Sequence, residues 1–300
     1  MKKLTALFLA IVFAFALVSC GNENTDATTT TASTKTTTTS STTEATTTSA
    51  TTSATTEPPV IEPTVLPNIV KLSFSDGKVS DDCQSMTMEN VGATIEKTEV
   101  KHDGKTYTVD AVCITGKGQY VKGTFDGLET VDEVKAAFAD GFSLEVFYAN
   151  GSRSGTEGSF CGTETVNKLG GGFGIADKGG QPYFVPSVGD GYKAVYSNIT
   201  PAEGELVHVI GVYDKELEEV RIYINGEFIA SVDAKGEFNP ITDPEIFNEL
   251  CLGADIKVGG TGGDFQSADM VIVGGGIYDG AIDDDMAKVV YKNAVDALSK

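Results

Sequence analysis

The chain has 300 residues and is strongly acidic, with 43 Asp and Glu against 22 Lys and Arg and a formal net charge of −21. A field of that sign repels phosphate backbones and anionic headgroups, which excludes nucleic acid as a partner and direct docking on an acidic lipid surface. With two histidines and no tryptophan, the chain also lacks the material for a His-rich metal centre and the strongest kind of aromatic sugar platform.

Met1-Lys2-Lys3 followed by the apolar run Leu7–Val18 has the charged and hydrophobic regions of a secretory signal. The run falls short of the about 20 residues a membrane span needs. It ends in Leu17-Val18-Ser19-Cys20-Gly21, which resembles the bacterial lipobox: an aliphatic residue, a small one, then the lipidated Cys. The resemblance implies a lipoprotein signal peptide over residues 1–19 and lipid attachment at Cys20. The protein is then expected on the cell membrane, facing outward, with the lipid as its only membrane contact.

Between Thr25 and Thr56 more than half of the residues are Thr or Ser. With no apolar periodicity, nothing there offsets chain entropy by burial. Residues 20–64 are therefore expected to be the lipidated Cys and a disordered stalk, stiffened near its end by Glu57-Pro58 and Glu62-Pro63. About 45 flexible residues span roughly 35–40 Å on average.

From residue 65 the composition is globular and the length suits one all-β domain. Only five acids and three bases precede it, so the domain carries nearly all of the acidic excess. Cys83, Cys113, Cys161 and Cys251 have no C-x-x-C spacing, which argues against zinc. One or two disulfides and buried free thiols both remain open.

Val70, Leu72 and Phe74 alternate with polar residues, so the domain opens on a strand. Asp76-Gly77 turns it, and Ser80-Asp81-Asp82 closes the loop. Tyr107–Cys113 and Tyr120–Lys122 read as further strands. Thr130 with Glu133 has the form of a capping box, opening a helix expected to stop near Asp140-Gly141. Phe142–Tyr148 is the next strand. Short apolar runs separated by Gly-rich turns fill the stretch from Asn150 to Tyr196.

A meander follows: the strand Leu206–Val212, the loop Asp214–Glu219, the strand Val220–Ile224 and, after Asn225-Gly226, a return strand through Phe228 and Val232. The Asn-Gly pair suits a type I′ turn, where both residues need positive φ. Leu250–Gly253 reads as a buried strand. Met270–Val273 and Ile277-Tyr278 form the last one, kinked or bulged at Gly274-Gly275-Gly276. Asp283 can cap a final helix that places Met286, Val289, Val290 and Tyr291 on one face.

The segments KLSFSDGKVSDDC, DGFSLEVFY, RIYINGEFIASVD and VIVGGGIYDGAIDDDMAKVVYKNA resemble, in that order, the opening strand, the strand after the first crossover, the central meander and the closing strand with terminal helix of bacterial laminin-G-like domains. These are members of the concanavalin A-like lectin/glucanase superfamily. The resemblance, from about Val70 to about Asn293, implies an all-β fold over residues 65–300. That fold is a two-sheet antiparallel jelly-roll sandwich with one or two short helices, and its habit is surface recognition.

The superfamily includes glycoside hydrolases, which need two carboxylates facing each other across a sugar, on one strand as E-x-D-x-x-E in laminarinase-like members. Glu145 is the one carboxylate inside an apolar strand, and Phe147 and Asn150 hold the positions where partners would stand. No catalytic residue is assigned, and Glu145, His102 and His208 are expected to be structural. The resemblance further implies one Ca²⁺, for which Asp76, Asp81, Asp82 and Asp269 supply hard oxygen ligands, with Asp264 as an alternative on the final strand pair. Tyr148, Tyr183, Tyr192 and Tyr196 lie in or beside the Gly-rich middle, where binding loops would sit. The expectation is a monomeric, non-catalytic module that binds a glycan or a surface protein. The alternatives are an adhesive domain without a small ligand and a diverged glycosidase.

Overall fold

The computed structural model describes residues 63–151, 156–164, 170–255 and 269–300. Cys20, the Thr-rich segment and Asp264 lie outside the described residues. The first hairpin joins β1 (Asn68–Ser75) to β2 (Lys78–Asp81), then come β3 (Met86–Val91), a long hairpin of β4 (Thr94–His102) and β5 (Lys105–Ile114), and β6 (Tyr120–Phe125). Helix α1 (Val131–Ala137) leads into β7 (Phe142–Asn150). A second group contains β8 (Thr156–Glu164), β9 (Gly171–Lys178), β10 (Gln181–Phe184), β11 (Ser187–Val188), β12 (Gly191–Tyr192) and β13 (Val195–Tyr196). The central meander of β14 (Val207–Asp214), β15 (Glu219–Ile224) and β16 (Glu227–Asp233) follows, then β17 (Glu249–Leu252), β18 (Met270–Asp279) and α2 (Asp284–Ala297).

All strand pairs are antiparallel, and they build two large sheets. The nine-stranded sheet runs β16-β15-β14-β7-β18-β1-β2, with β5 on the other half of β18 and β4 outside it. The seven-stranded sheet runs β13-β10-β9-β8-β17-β6-β3. β11 and β12 form a small ribbon of their own.

The sheets enclose one main core. Leu144, Val146 and Tyr148 of β7, Ile222 of β15 and Ile272 of β18 meet Phe160, Phe173, Ile175, Phe184, Leu250 and Leu252 of the other sheet. At one end Phe138, Phe142, Phe173 and Phe238 gather with ring centres 4.5–5.8 Å apart. Helix α1 delivers Phe138 to that cluster. Its capping box is formed as read: Thr130 accepts from Glu133 N–H while the Glu133 carboxylate accepts from Thr130 N–H. The helix stops at Ala137 with Phe138 as its C-cap, three residues before the expected end, because Phe138 is drawn fully into the core.

The Asn225-Gly226 turn has both residues at positive φ, as its sequence demands. The final strand is bulged between Ile272 and Gly274, and Asp283 caps α2 by accepting from the Asp285 and Met286 amides. Two features differ from the sequence reading. Ser80 and Asp81 belong to β2 rather than to a loop, and β3 and β4 are strands where none was marked. In β4 only Val100 and His102 are buried, so the period-2 pattern is submerged in charge.

Among the described residues no helix is long and apolar enough to cross a membrane. Replacing Phe138 by Ala should cost about 3–5 kcal/mol, the usual range for a buried Phe, whereas Thr130→Ala should cost about 1 kcal/mol. Denaturant unfolding of both variants checks the order, and equal losses would contradict the assignment of Phe138 to the core cluster.

Candidate functional site

At one edge of the seven-stranded sheet the register sets Tyr183 of β10 opposite Tyr196 of β13. Phe184 and Val195 take the core positions, so strand alternation sends the two tyrosines to the outer face. Their rings stack with centres 5.0 Å apart and planes at 25°. Tyr183 is buried against Cys161 and Ala176, and that burial pushes its hydroxyl well above the ordinary phenol range. Tyr196 is 36% exposed, with the Lys178 ammonium 5.8 Å from its ring centre, a cation–π arrangement.

The other two expected binding tyrosines stand elsewhere. Tyr192, in the small ribbon, donates its hydroxyl to the Gly171 carbonyl at 2.9 Å and its ring covers Gly170. Tyr148 is fully buried and donates to the Asp177 carboxylate at 2.5 Å. Tyr148 therefore corrects the expectation. It falls on the inward side of β7, with Leu144 and Val146, and offers no face to a ligand.

Of the aspartates expected to hold calcium, Asp81 and Asp82 are engaged by the protein itself and Asp269 stands at the other end of β18 from β1. The Asp81 carboxylate accepts four backbone amides, from Lys71 and Cys83 on one oxygen and from Ser85 and Met86 on the other. These bonds fill the about four lone-pair sites of a carboxylate. Asp82 accepts from the Ser73 hydroxyl at 2.6 Å, and Asp76 sits at positive φ in the β1–β2 turn. Asp269 precedes β18 at the end that pairs with β5 and β7, while β1 pairs with the other end. Among the described residues no group of three or more His, Cys, Asp or Glu is arranged to hold a metal ion. This acidic corner is a backbone clamp.

The outer face of the nine-stranded sheet carries a buried polar network. Glu145 accepts from His208 Nε2 at 2.7 Å and from the Tyr278 hydroxyl at 2.6 Å. Burial, with the Glu145 charge beside it, pushes the Tyr278 hydroxyl far above its usual range. Phe147 and Tyr291 flank the His208 ring, and His208 Nδ1 is buried with no hydrogen-bond partner. His102 lies beside it, buried at the end of β4, with Nδ1 3.1 Å from the Leu206 carbonyl and Nε2 2.9 Å from the Tyr291 hydroxyl. Next to this network a cleft of about 760 Å³ opens between α2 and strands β1, β5, β7 and β18.

Glu145 and His208 are each legible in the sequence as strand residues, but not as a pair. Their meeting depends on β7 and β14 being neighbours across more than fifty intervening residues, and periodicity carries no such information. Chemically, each Glu145 oxygen is bonded by one donor from a neighbouring strand, and the two bonds fix the orientation of the carboxylate.

A family model described as concanavalin A-like lectin/glucanases superfamily matches residues 122–283, more than half of the chain. No curated protein matches the sequence. Among solved structures, the botulinum neurotoxin serotype D binding domain is similar at 10% identity and a TM-score of 0.52, covering 75% of this chain and 51% of that one. A structure titled for the dependence of botulinum neurotoxin type C cell entry on two ganglioside molecules is similar at 11% identity and 0.50, covering 76% and 51%. The binding domain of botulinum neurotoxin DC in complex with rat synaptotagmin II is similar at 12% and 0.50, again over 76% and 51%. The chain thus spans about half the length of the solved chains it matches, and at such identities the likeness is one of fold.

Two outcomes follow from the buried hydroxyls. Tyr278→Phe leaves the Glu145 carboxylate with one donor fewer and should destabilise the chain by about 1–3 kcal/mol, read from denaturant unfolding; an unchanged midpoint would contradict the network. Tyr148, Tyr183 and Tyr278 all have raised hydroxyl pKa values through burial, so the fold favours their neutral forms. Their contribution is intact below the ordinary Tyr value of about 10 and falls as pH rises past it. The share of the phenolate absorbance due to these three of the ten tyrosines should therefore appear late and together with unfolding; the full ten-tyrosine signal developing near pH 10 in the folded chain would contradict the burial.

Proposed function

This chain belongs to the concanavalin A-like lectin/glucanases superfamily, and from that membership we propose that it is a non-catalytic binding module, held outside the cell by a lipid on Cys20 and carried on its Thr-rich stalk, whose ligand is a glycan. The stacked Tyr183–Tyr196 pair carries this reading. An exposed Tyr ring backed by a second ring is held rigidly at little entropic cost. It presents an apolar face to the C–H side of a sugar ring, burial of which is favourable. Lys178 beside it can donate to hydroxyl or carboxylate groups.

Support for the non-catalytic part comes from Glu145, the one carboxylate set into the β7 apolar run, which His208 and Tyr278 tie into the pairing of β7 with its two neighbours. The similar solved structures are themselves binding domains. Because one of them is in complex with a protein, a surface protein is the second reading for the same tyrosine surface.

A glycan array probed with the chain should retain a subset of sugars, and Tyr196→Ala should weaken that retention about tenfold, the effect of losing about 1.4 kcal/mol, with an unchanged unfolding midpoint. Retention of no glycan, together with capture of a protein that Tyr196→Ala abolishes, would favour the second reading. Wild-type retention by the Ala variant would remove the tyrosine surface altogether. For the anchor, Cys20→Ser should move the protein from the membrane fraction to the medium; persistence in the membrane would contradict lipidation at Cys20.

A further inference from the structure

The cleft on the outer face of the nine-stranded sheet has features that the network beneath it does not require. Its floor is crossed by β18, where Gly274 pairs with Phe147 and Gly276 with Glu145. Phe147 and Glu145 lie on the outward side of β7, so both glycines face outward too. The two differ in what a side chain would meet. A Cβ on Gly276 would lie 2.6 Å from the Val70 carbonyl oxygen, which accounts for glycine there by close packing. A Cβ on Gly274 would meet nothing within 4 Å, and Gly274 is not among the residues at positive φ. Gly274 adjoins the bulge after Ile272, yet neither crowding nor a positive φ bars a larger residue there. What its missing side chain provides is open floor.

The banks of that floor are polar and matched. Gly276 pairs with Glu145 on one side and with Lys71 on the other, so an acidic and a basic residue stand on strands two apart, their backbones about 10 Å from each other. Around them the cleft is lined by the cations Lys71, Lys97 and Lys300 and the anions Asp110, Glu145 and Asp296. In a chain of net charge −21, this balance is local. Lys97 and Asp110 neutralise each other at 2.9 Å. Asn68, Ser73 and Asn293 add neutral donors and acceptors, and Val109 and Val273 supply apolar wall.

We propose that this cleft is a second ligand site, separate from the Tyr183–Tyr196 surface, and that it takes a neutral saccharide unit seated on the Gly274 floor with hydroxyls bonded to Glu145 and Lys71. The chemistry selects that class. A sugar hydroxyl both donates and accepts, so it satisfies a lining where carboxylates and ammonium groups alternate. Each oxygen of Glu145 has one protein donor and a carboxylate oxygen can accept more than one hydrogen bond, so a ligand hydroxyl can be added without breaking the network. An acidic glycan would bring its charge against the chain's own negative field and against Glu145. A cation would find Asp110 already paired with Lys97 and both Glu145 oxygens already bonded by His208 and Tyr278. The two surfaces lie on the outer faces of different sheets, on opposite sides of the core, so one stalked module would engage a polymeric glycan twice and gain avidity without any new contact.

The test is calorimetric titration of the full chain with neutral oligosaccharides (cello-, xylo- and manno-series) and with their uronic-acid counterparts. Gly274→Leu fills the floor without a backbone clash, and Lys71→Ala removes one bank at an exposed position. Both should weaken neutral-sugar binding about tenfold or more, Lys71→Ala by one lost charged hydrogen bond and Gly274→Leu by occupying the seat of the sugar ring, with unchanged unfolding midpoints. Tyr196→Ala should lower the stoichiometry while sparing this site. Binding abolished by Tyr196→Ala and untouched by Gly274→Leu would overturn the cleft and leave the tyrosine surface standing. Preference for the uronic acids at the cleft would overturn the neutral class, and no saccharide binding by the wild type would overturn both sites.

Discussion

Everything described above depends on the register of β7. It sits between β14 and β18 in the nine-stranded sheet, and its alternation sends Leu144, Val146 and Tyr148 into the sandwich while Ser143, Glu145 and Phe147 face outward. A slip of one residue would reverse every side chain. It would put a carboxylate in the main core and leave three large apolar groups in search of cover. Two donors reinforce the correct register: His208 from β14 and Tyr278 from β18 converge on Glu145 from both neighbours. The buried charge therefore acts as a register pin, stabilised by hydrogen bonds where an apolar residue would have permitted sliding.

The pin also explains why a helix covers this sheet. Tyr291 of α2 bonds to His102 and packs its ring against His208, while Ala287 and Val290 bury against Ile210, Val212 and Tyr223. The helix packs on the β14 side of the outer face, and its other flank forms one wall of the cleft that opens toward β1. On the opposite sheet the outer face is finished differently, by Tyr183 folded over Cys161 and Ala176 with Tyr196 stacked above it. Two outer faces, one partly roofed by a helix and one capped by aromatic rings, give the module two chemically distinct surfaces on one rigid core.

Much of the scaffold was legible in the sequence because it rests on local rules. Thr130 with Glu133, Asn225-Gly226, Asp283 and the bulge at Gly274 are all short-range signals, and each is formed in the structure. The family resemblance carried the topology that those signals lack. β3 and β4 were missed because strands that bury only one or two residues do not show a period. The tyrosines expected to bind divide on the same ground. Tyr183 and Tyr196 meet because β10 and β13 pair within a dozen residues. Tyr148 shares their composition signal but falls on the inward parity of its strand. For Asp81 the sequence showed an acid in a turn-rich stretch, and only three-dimensional placement reveals four amides aimed at it.

On the proposed function, saccharide is recognised through the outer faces of the sandwich. Amide chemical-shift mapping of the full chain, titrated with the glycan it retains best, tests that claim most directly. The account predicts shifts gathered on β10 and β13 around Tyr183 and Tyr196, and in the cleft around Lys71, Glu145 and Gly274, with the core amides of Val146 and Ile175 unmoved. Shifts confined to loops remote from both faces, or no shifts with any sugar that the chain retains, would contradict it.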